Sequence, residues 1–172
     1  MKASFLFFLL SFSLFAKNIS YKIGDAEYEG YILKKSAKAP TAFIIHDWDG
    51  LTDYEKKRAE MLKSLGWSVF ALDMFGKGVR PVEMEEKKKK TGELYADRKK
   101  MRELMTGAIA FAKTQGLNTD SAVIIGYCFG GTSVLELARS GVAMKNFISF
   151  HGGLATPEGQ DYKETKGSVT IY

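Results

Sequence analysis

The stretch Ala122-Val123-Ile124-Ile125-Gly126-Tyr127-Cys128-Phe129-Gly130-Gly131 decides how this chain is read. Its first residues form a short apolar strand, the glycines mark a sharp turn, and a helix is expected to open near Gly131. The spacing Gly126-x-Cys128-x-Gly130 has the form of a nucleophile elbow, with cysteine where serine is more usual. A residue on such a strand-to-helix turn is held in strained backbone while the chain packs against itself on both sides. Gly126 and Gly130 remove the side chains that would clash there. The helix points its positive dipole end at Cys128, and the amide of Phe129 is free to donate to a developing oxyanion. The plainer alternative is a small buried cysteine beside a glycine pair that eases helix-on-sheet packing.

Outward from the elbow, the chain alternates strands and helices. Val134, Leu135, Leu137 and Ala138 predict a helix stopped at Gly141, and Phe147 to Phe150 an apolar strand running into His151-Gly152-Gly153. Upstream, Met101, Leu104, Met105, Ala108, Ile109 and Ala112 recur at helical spacing until Gly116. Thr41 to His46 and Trp67 to Leu72 read as strands buried on both faces. Between them, Thr52-x-x-Glu55 forms a capping box, and Tyr54, Met61, Leu62 and Leu65 line one face of the helix it opens. Ile19 to Ile23 and Glu27 to Leu33 alternate apolar and polar residues across Gly24-Asp25, a hairpin signal. Asp73 to Pro81 is a loop, Glu83 to Lys90 is a solvated helix face, and Ser168 to Tyr172 begins a further strand. This order predicts an α/β fold, a doubly wound, mostly parallel sheet with helices on both faces. Ligands of such folds bind beyond the carboxyl ends of the strands. His46, Asp73, Cys128 and His151 all lie at such ends.

Composition narrows the function classes. The chain has 172 residues, 45% hydrophobic and 26% charged, which describes one ordinary globular domain. Its net charge of +5 is scattered apart from Lys87 to Lys90, with no Arg-rich stripe, so nucleic acid is not an expected partner. The single cysteine permits no internal disulfide and stands out as a reactive thiol in an exported protein. Export is expected because Met1 to Ala16 has Lys2 followed by an apolar run, the form of a signal peptide cleaved after Ala16. The mature domain, residues 17–172, would then be periplasmic or secreted, with no stable membrane association. The run is short for a spanning helix of about 20 residues.

With these residues in view, the chain resembles the dienelactone hydrolase family of the α/β-hydrolase superfamily from about Tyr28 to Tyr172. Gly126-Tyr127-Cys128-Phe129-Gly130-Gly131 is similar to the family's cysteine elbow. His46-Asp47-Trp48-Asp49-Gly50 resembles its acidic-residue loop, which usually has glutamate at the position of Asp47. Leu72-Asp73-Met74-Phe75 resembles its aspartate-aromatic segment. The resemblance implies a hydrolase of small-molecule esters or lactones that works through an acyl-enzyme, with no metal or organic cofactor. Cys128 would be the nucleophile, the amides of Trp48 and Phe129 the oxyanion hole, and Asp47 an acidic neighbour of the thiol. A loop-capping role for Asp47 is equally open. The family's triad acid and histidine follow later strands, and after Cys128 this chain has only His151. His151 is thus the one candidate base, against a structural role, and the expectation is a domain whose last strands and helix are missing. The competing function is a catalytically incomplete fragment or a non-catalytic binding domain of the same fold. His46 is expected to be a buried strand-end residue, and Asp161 and Glu164 to face solvent. Neither the substrate nor the oligomeric state is legible in the sequence.

Overall fold

The computed structural model describes residues 17–172, so the expected signal segment, Met1 to Ala16, lies outside the described residues. Seven strands form one sheet: β1 (Lys17–Ile23), β2 (Ala26–Leu33), β3 (Pro40–Ile45), β4 (Ser68–Leu72), β5 (Asn118–Tyr127), β6 (Ala143–Phe150) and β7 (Lys166–Ile171). Their spatial order is β1-β2-β4-β3-β5-β6-β7. The β1–β2 hairpin turns through Gly24, at φ 60°, and pairs antiparallel to β4. From β4 through β7 every pairing is parallel. The four helices among the described residues are α1 (Asp53–Ser64), α2 (Met84–Ala96), α3 (Arg98–Thr114) and α4 (Phe129–Arg139). Among the described residues no helix is long and apolar enough to cross a membrane.

Neighbouring strand residues point to opposite faces, which divides the core in two. Phe43, Ile45, Phe70, Leu72, Ile124 and Phe147 pack with Met101, Leu104, Met105 and Ala108 of α3 and with Val134 and Leu137 of α4. The alternate residues Leu33, Ile44, Val69 and Ala71 pack on Ala59 and Leu62 of α1. This is the α/β architecture the strand–helix alternation predicts, with helices on both faces. The helix over 101–112 buries the residues expected of it, apart from half-exposed Ile109.

Three elements differ from expectation. The supposed inner face of α1 is largely outside it: Tyr54, Met61 and Leu65 are 43%, 55% and 75% exposed, while α1 buries Glu55 and Ala59. The reason is the capping box. Glu55 Oε2 accepts from Thr52 N and Thr52 Oγ1, both at 2.8 Å, which turns Glu55 inward and rotates the apolar residues toward the rim. The strand before the elbow begins at Asn118 rather than Ala122, because its register slips between Pro40 and Ala42 of β3 and extra residues join the ladder. Finally, every residue of α4 is buried, although its sequence contains Glu136 and Arg139. Glu136 accepts from Arg102 Nε at 2.7 Å and stands 3.5 Å from Arg139, so the charges neutralise one another inside the molecule.

Candidate active site

The elbow joins β5 to α4, and its backbone is tightly constrained. Cys128 has φ 52° and ψ −113°, a conformation that costs a non-glycine residue about 1–3 kcal/mol and persists only when its surroundings enforce it. The surroundings do so through close backbone approach. A Cβ on Gly126 would lie 2.1 Å from the carbonyl oxygen of Gly130, and one on Gly130 would lie 2.4 Å from that of Ile45 and 2.5 Å from that of His46. The first turn of α4 therefore rests directly on the end of β3. Cys128 N–H donates to Phe150 O at 3.0 Å, and its carbonyl accepts from Thr132 N at 3.1 Å. The thiol is free and partly exposed. As the first residue of α4, Phe129 has an amide with no partner inside the helix.

The loop after β3 supplies the facing side. Asp47 Oδ1 accepts from Asp49 N at 2.8 Å, an Asx turn, so the loop-capping role is the one its geometry displays. Among the described residues Asp47 makes no hydrogen bond to Cys128. Trp48 N–H, in the next peptide, belongs to no helix or strand and has no acceptor among the described residues. Lys87 of α2 fastens the loop from outside: it ion-pairs with Asp49 and stands 5.4 Å from the centroid of the Trp48 ring. Gly50, at φ 83°, would set a Cβ 2.8 Å from Val79 O, and Arg80 Nε donates to Leu51 O. The amides of Trp48 and Phe129 are thus both unpaired among the described residues, one in the loop that follows β3 and one at the start of α4, which packs on the end of β3. A negatively charged or strongly polarised oxygen is the ligand such a pair suits.

His46 and Asp73 are both fully buried. Asp73 Oδ1 accepts from Phe75 N at 2.9 Å and Gly76 N at 3.1 Å, and Oδ2 accepts from Glu29 N at 3.2 Å, so this carboxylate shapes the loop after β4. Burial pushes the His46 imidazole down, against the opposing pull of its hydrogen bond to Asp47 O and of the Asp73 charge. His151 lies beyond β6 at φ 43°, with its amide donating to Tyr172 O at 2.7 Å and its side chain exposed. Next to it, Gly152 is seated against Gly131 and Thr132, but no hydrogen bond ties the His151 ring to Cys128 among the described residues. Asp161 and Glu164 are exposed, as expected. No group of three or more His, Cys, Asp or Glu side chains is placed to hold a metal among the described residues.

Two contacts escape the sequence reading. Lys87 belongs to a charge run that reads as solvated surface, and only the packing of α2 brings it to Trp48 and Asp49. Tyr95, on the same helix, packs its ring on Phe129 at 5.6 Å between centroids. Burial pushes the Tyr95 phenol up, and a charge on Cys128 adds to this while the Thr132 hydroxyl opposes it. An aromatic residue in the last turn of a charged helix is the available signal, and it does not say which loop the helix covers.

The elbow, the facing loop and the sheet order together match a known family. A model of the dienelactone hydrolase family covers residues 29–172. This chain belongs to the dienelactone hydrolase family. Solved structures agree: a protein named m3DLH is 31% identical with a TM-score of 0.84, the match covering 90% of this chain and 66% of that one. A dienelactone hydrolase-like promiscuous phosphotriesterase from metagenomic libraries is 28% identical with a TM-score of 0.83, over 91% of this chain and 67% of that one. A dienelactone hydrolase from Anabaena variabilis shares the fold at 18% identity and a TM-score of 0.59, over 80% of this chain and 63% of that one. The chain thus spans about two thirds of the length of these relatives. No curated protein matches it.

Proposed function

We propose that this dienelactone hydrolase-family chain acts on ester or lactone bonds through Cys128. The observation that carries the reading is the Cys128 backbone at φ 52° and ψ −113°, held by glycines whose replacement would collide with main chain. In the proposed step the Cys128 thiolate attacks the substrate carbonyl carbon and a C–S bond forms. The carbonyl π pair moves to oxygen, where the Trp48 and Phe129 amides receive it. Collapse then expels the alcohol oxygen with the C–O bond pair, and that oxygen takes a proton from solvent, which received the thiol proton when the thiolate formed. Asp47 holds the loop through its Asx turn rather than acting on the thiol.

Deacylation requires a base for water, a contribution of about 10²–10⁴-fold. His46 is committed to backbone partners, Asp47 to Asp49, and His151 is exposed without a bond to the thiol. The chain is therefore expected to acylate faster than it turns over. With an activated ester such as a nitrophenyl acetate, a burst of at most one equivalent is expected, lost in Cys128→Ala. A Cys128→Ala chain that keeps the burst would overturn the reading. Because one relative is a promiscuous phosphotriesterase, the assay includes a nitrophenyl phosphotriester, whose release in preference to the carboxylic ester would reassign the substrate class. We also propose that the protein is exported, from the signal-peptide form of Met1 to Ala16; intact mass of exported material beginning at Lys17 is the expected result.

A further inference from the structure

His46 has two hydrogen bonds, and each partner dictates the chemistry of one ring nitrogen. Nε2 faces Met74 N–H at 3.0 Å, an obligate donor, so Nε2 must accept. Nδ1 faces Asp47 O at 2.6 Å, an obligate acceptor, so Nδ1 must carry the proton. Only the neutral Nδ1–H tautomer satisfies both. The ring is fully buried and clamped between aromatics, edge-on to Phe75 at 4.6 Å and stacked on Phe129 at 6.0 Å. It therefore ties the loop after β3 to the loop after β4 and touches the residue that follows Cys128.

The decisive detail is which carbonyl His46 holds. Asp47 C=O and Trp48 N–H are the two ends of one planar peptide. A hydrogen bond to the carbonyl fixes the rotation of that plane, and hence the direction of the N–H, and polarises the unit so that the N–H donates more strongly. We infer that His46 is a positioning residue for the oxyanion hole, its Nδ1–H aiming and strengthening the Trp48 amide through the shared peptide. This rests on the reading of Cys128 and the two amides given above. It also explains why a polar ring occupies a position that packing alone would give to an apolar side chain: the ring has an aromatic environment but uses both nitrogens on backbone.

The test separates carbonyl chemistry from thiol chemistry on the same atom. Alkylation of Cys128 by iodoacetamide forms no oxyanion, whereas acylation by nitrophenyl acetate does. His46→Phe keeps the ring and removes both nitrogens; His46→Asn places an amide N–H near the position of Nδ1. Removing one oxyanion donor outright costs about 10²–10³-fold, so misaiming one is expected to cut the acylation rate by at least about tenfold. Alkylation should stay within about twofold, and Asn should recover a large part of the loss. If wild type acylates and His46→Phe acylates equally, the His46 role is overturned while the proposed function stands. If wild-type Cys128 alkylates but takes no acyl group, the two-amide reading itself fails and His46 falls with it. Should His46→Phe not fold, ¹⁵N imidazole spectra of the wild-type chain decide. The chain has two histidines, and His151→Ala assigns the signals. A protonated Nδ1 with an unprotonated Nε2 supports the proposal, and the opposite tautomer overturns it.

Discussion

Replacing Gly130 with alanine should damage fold and site together. The added Cβ would stand 2.4 Å from Ile45 O, 2.5 Å from His46 O and 2.9 Å from the Ile45 carbonyl carbon. All three atoms are main chain, so no side chain can swing aside. To reach ordinary van der Waals contact near 3.4 Å, α4 and the end of β3 must separate by about 1 Å. Both are central elements: β3 is hydrogen-bonded on both edges and α4 is wholly buried. Overpacking of this kind costs about 1–3 kcal/mol, with the upper end expected here. For a chain of this size that is a fall in Tm of roughly 6–12 °C. The same displacement moves Phe129 away from the Asp47–Trp48 peptide, so acylation of Cys128 should fall in the molecules that remain folded. Gly92→Ala is the matched contrast, because Gly92 lies in α2 with nothing within 4 Å of a new Cβ. It should stabilise by about 0.5–1 kcal/mol through helix propensity. Thermal melts of both variants, with single-turnover acylation on each, make the comparison. A Gly130→Ala chain that melts within about 2 °C of wild type and acylates at the wild-type rate would refute the close approach of α4 to β3.

Thr52→Ala removes the cap of α1 and one of the two donors on the buried Glu55 carboxylate; a loss of about 1–2 kcal/mol in chemical denaturation is expected. Glu136→Ala leaves Arg139 and Arg102 buried or half-buried without their carboxylate, and should destabilise by about 3–5 kcal/mol in the same assay. The pH dependence follows from His46, which faces Asp73 at 3.9 Å, with Arg80 3.9 Å beyond and Asp47 adjacent. Its folded pKa is depressed below 6.5 chiefly by burial, so the unfolded chain binds the proton first. Its stabilising share is full above the unfolded value near 6.5 and is lost as pH falls toward the folded value, with a slope of at most about 1.4 kcal/mol per pH unit. His46→Phe should flatten that limb of a stability–pH curve.

What the sequence made legible, and what it hid, divides along a physical line. The elbow was readable because its requirement is local: glycines must flank a strained residue wherever two backbones touch, and the spacing Gly126-x-Cys128-x-Gly130 states this directly. The β1–β2 hairpin, the parallel core strands and α3 were readable for the same reason, their periodicity reporting which side meets the sheet. Helix α1 departs from its pattern because its orientation is set by a buried capping carboxylate, and Glu55 counts as polar in any hydrophobic pattern. Helix α4 shows no polar face because Glu136 and the arginines around it satisfy one another inside. Lys87, Tyr95 and the Met74–His46 bond depend on how distant loops and α2 come together, and no spacing within the chain records that. The sequence leaves Asp47 open between two roles, and its bond to Asp49 N–H is a loop contact that no periodicity reports.

The central claim, that a strained cysteine and two free amides form an acylation site, is tested most directly by mass spectrometry after brief exposure to nitrophenyl acetate. The account predicts one acetyl group per chain, mapped by peptide analysis to Cys128, formed in step with the nitrophenol burst and absent from the unfolded chain. Acetylation spread over surface lysines with Cys128 unmodified, or equal labelling of Cys128 in the folded and unfolded chain, would contradict it.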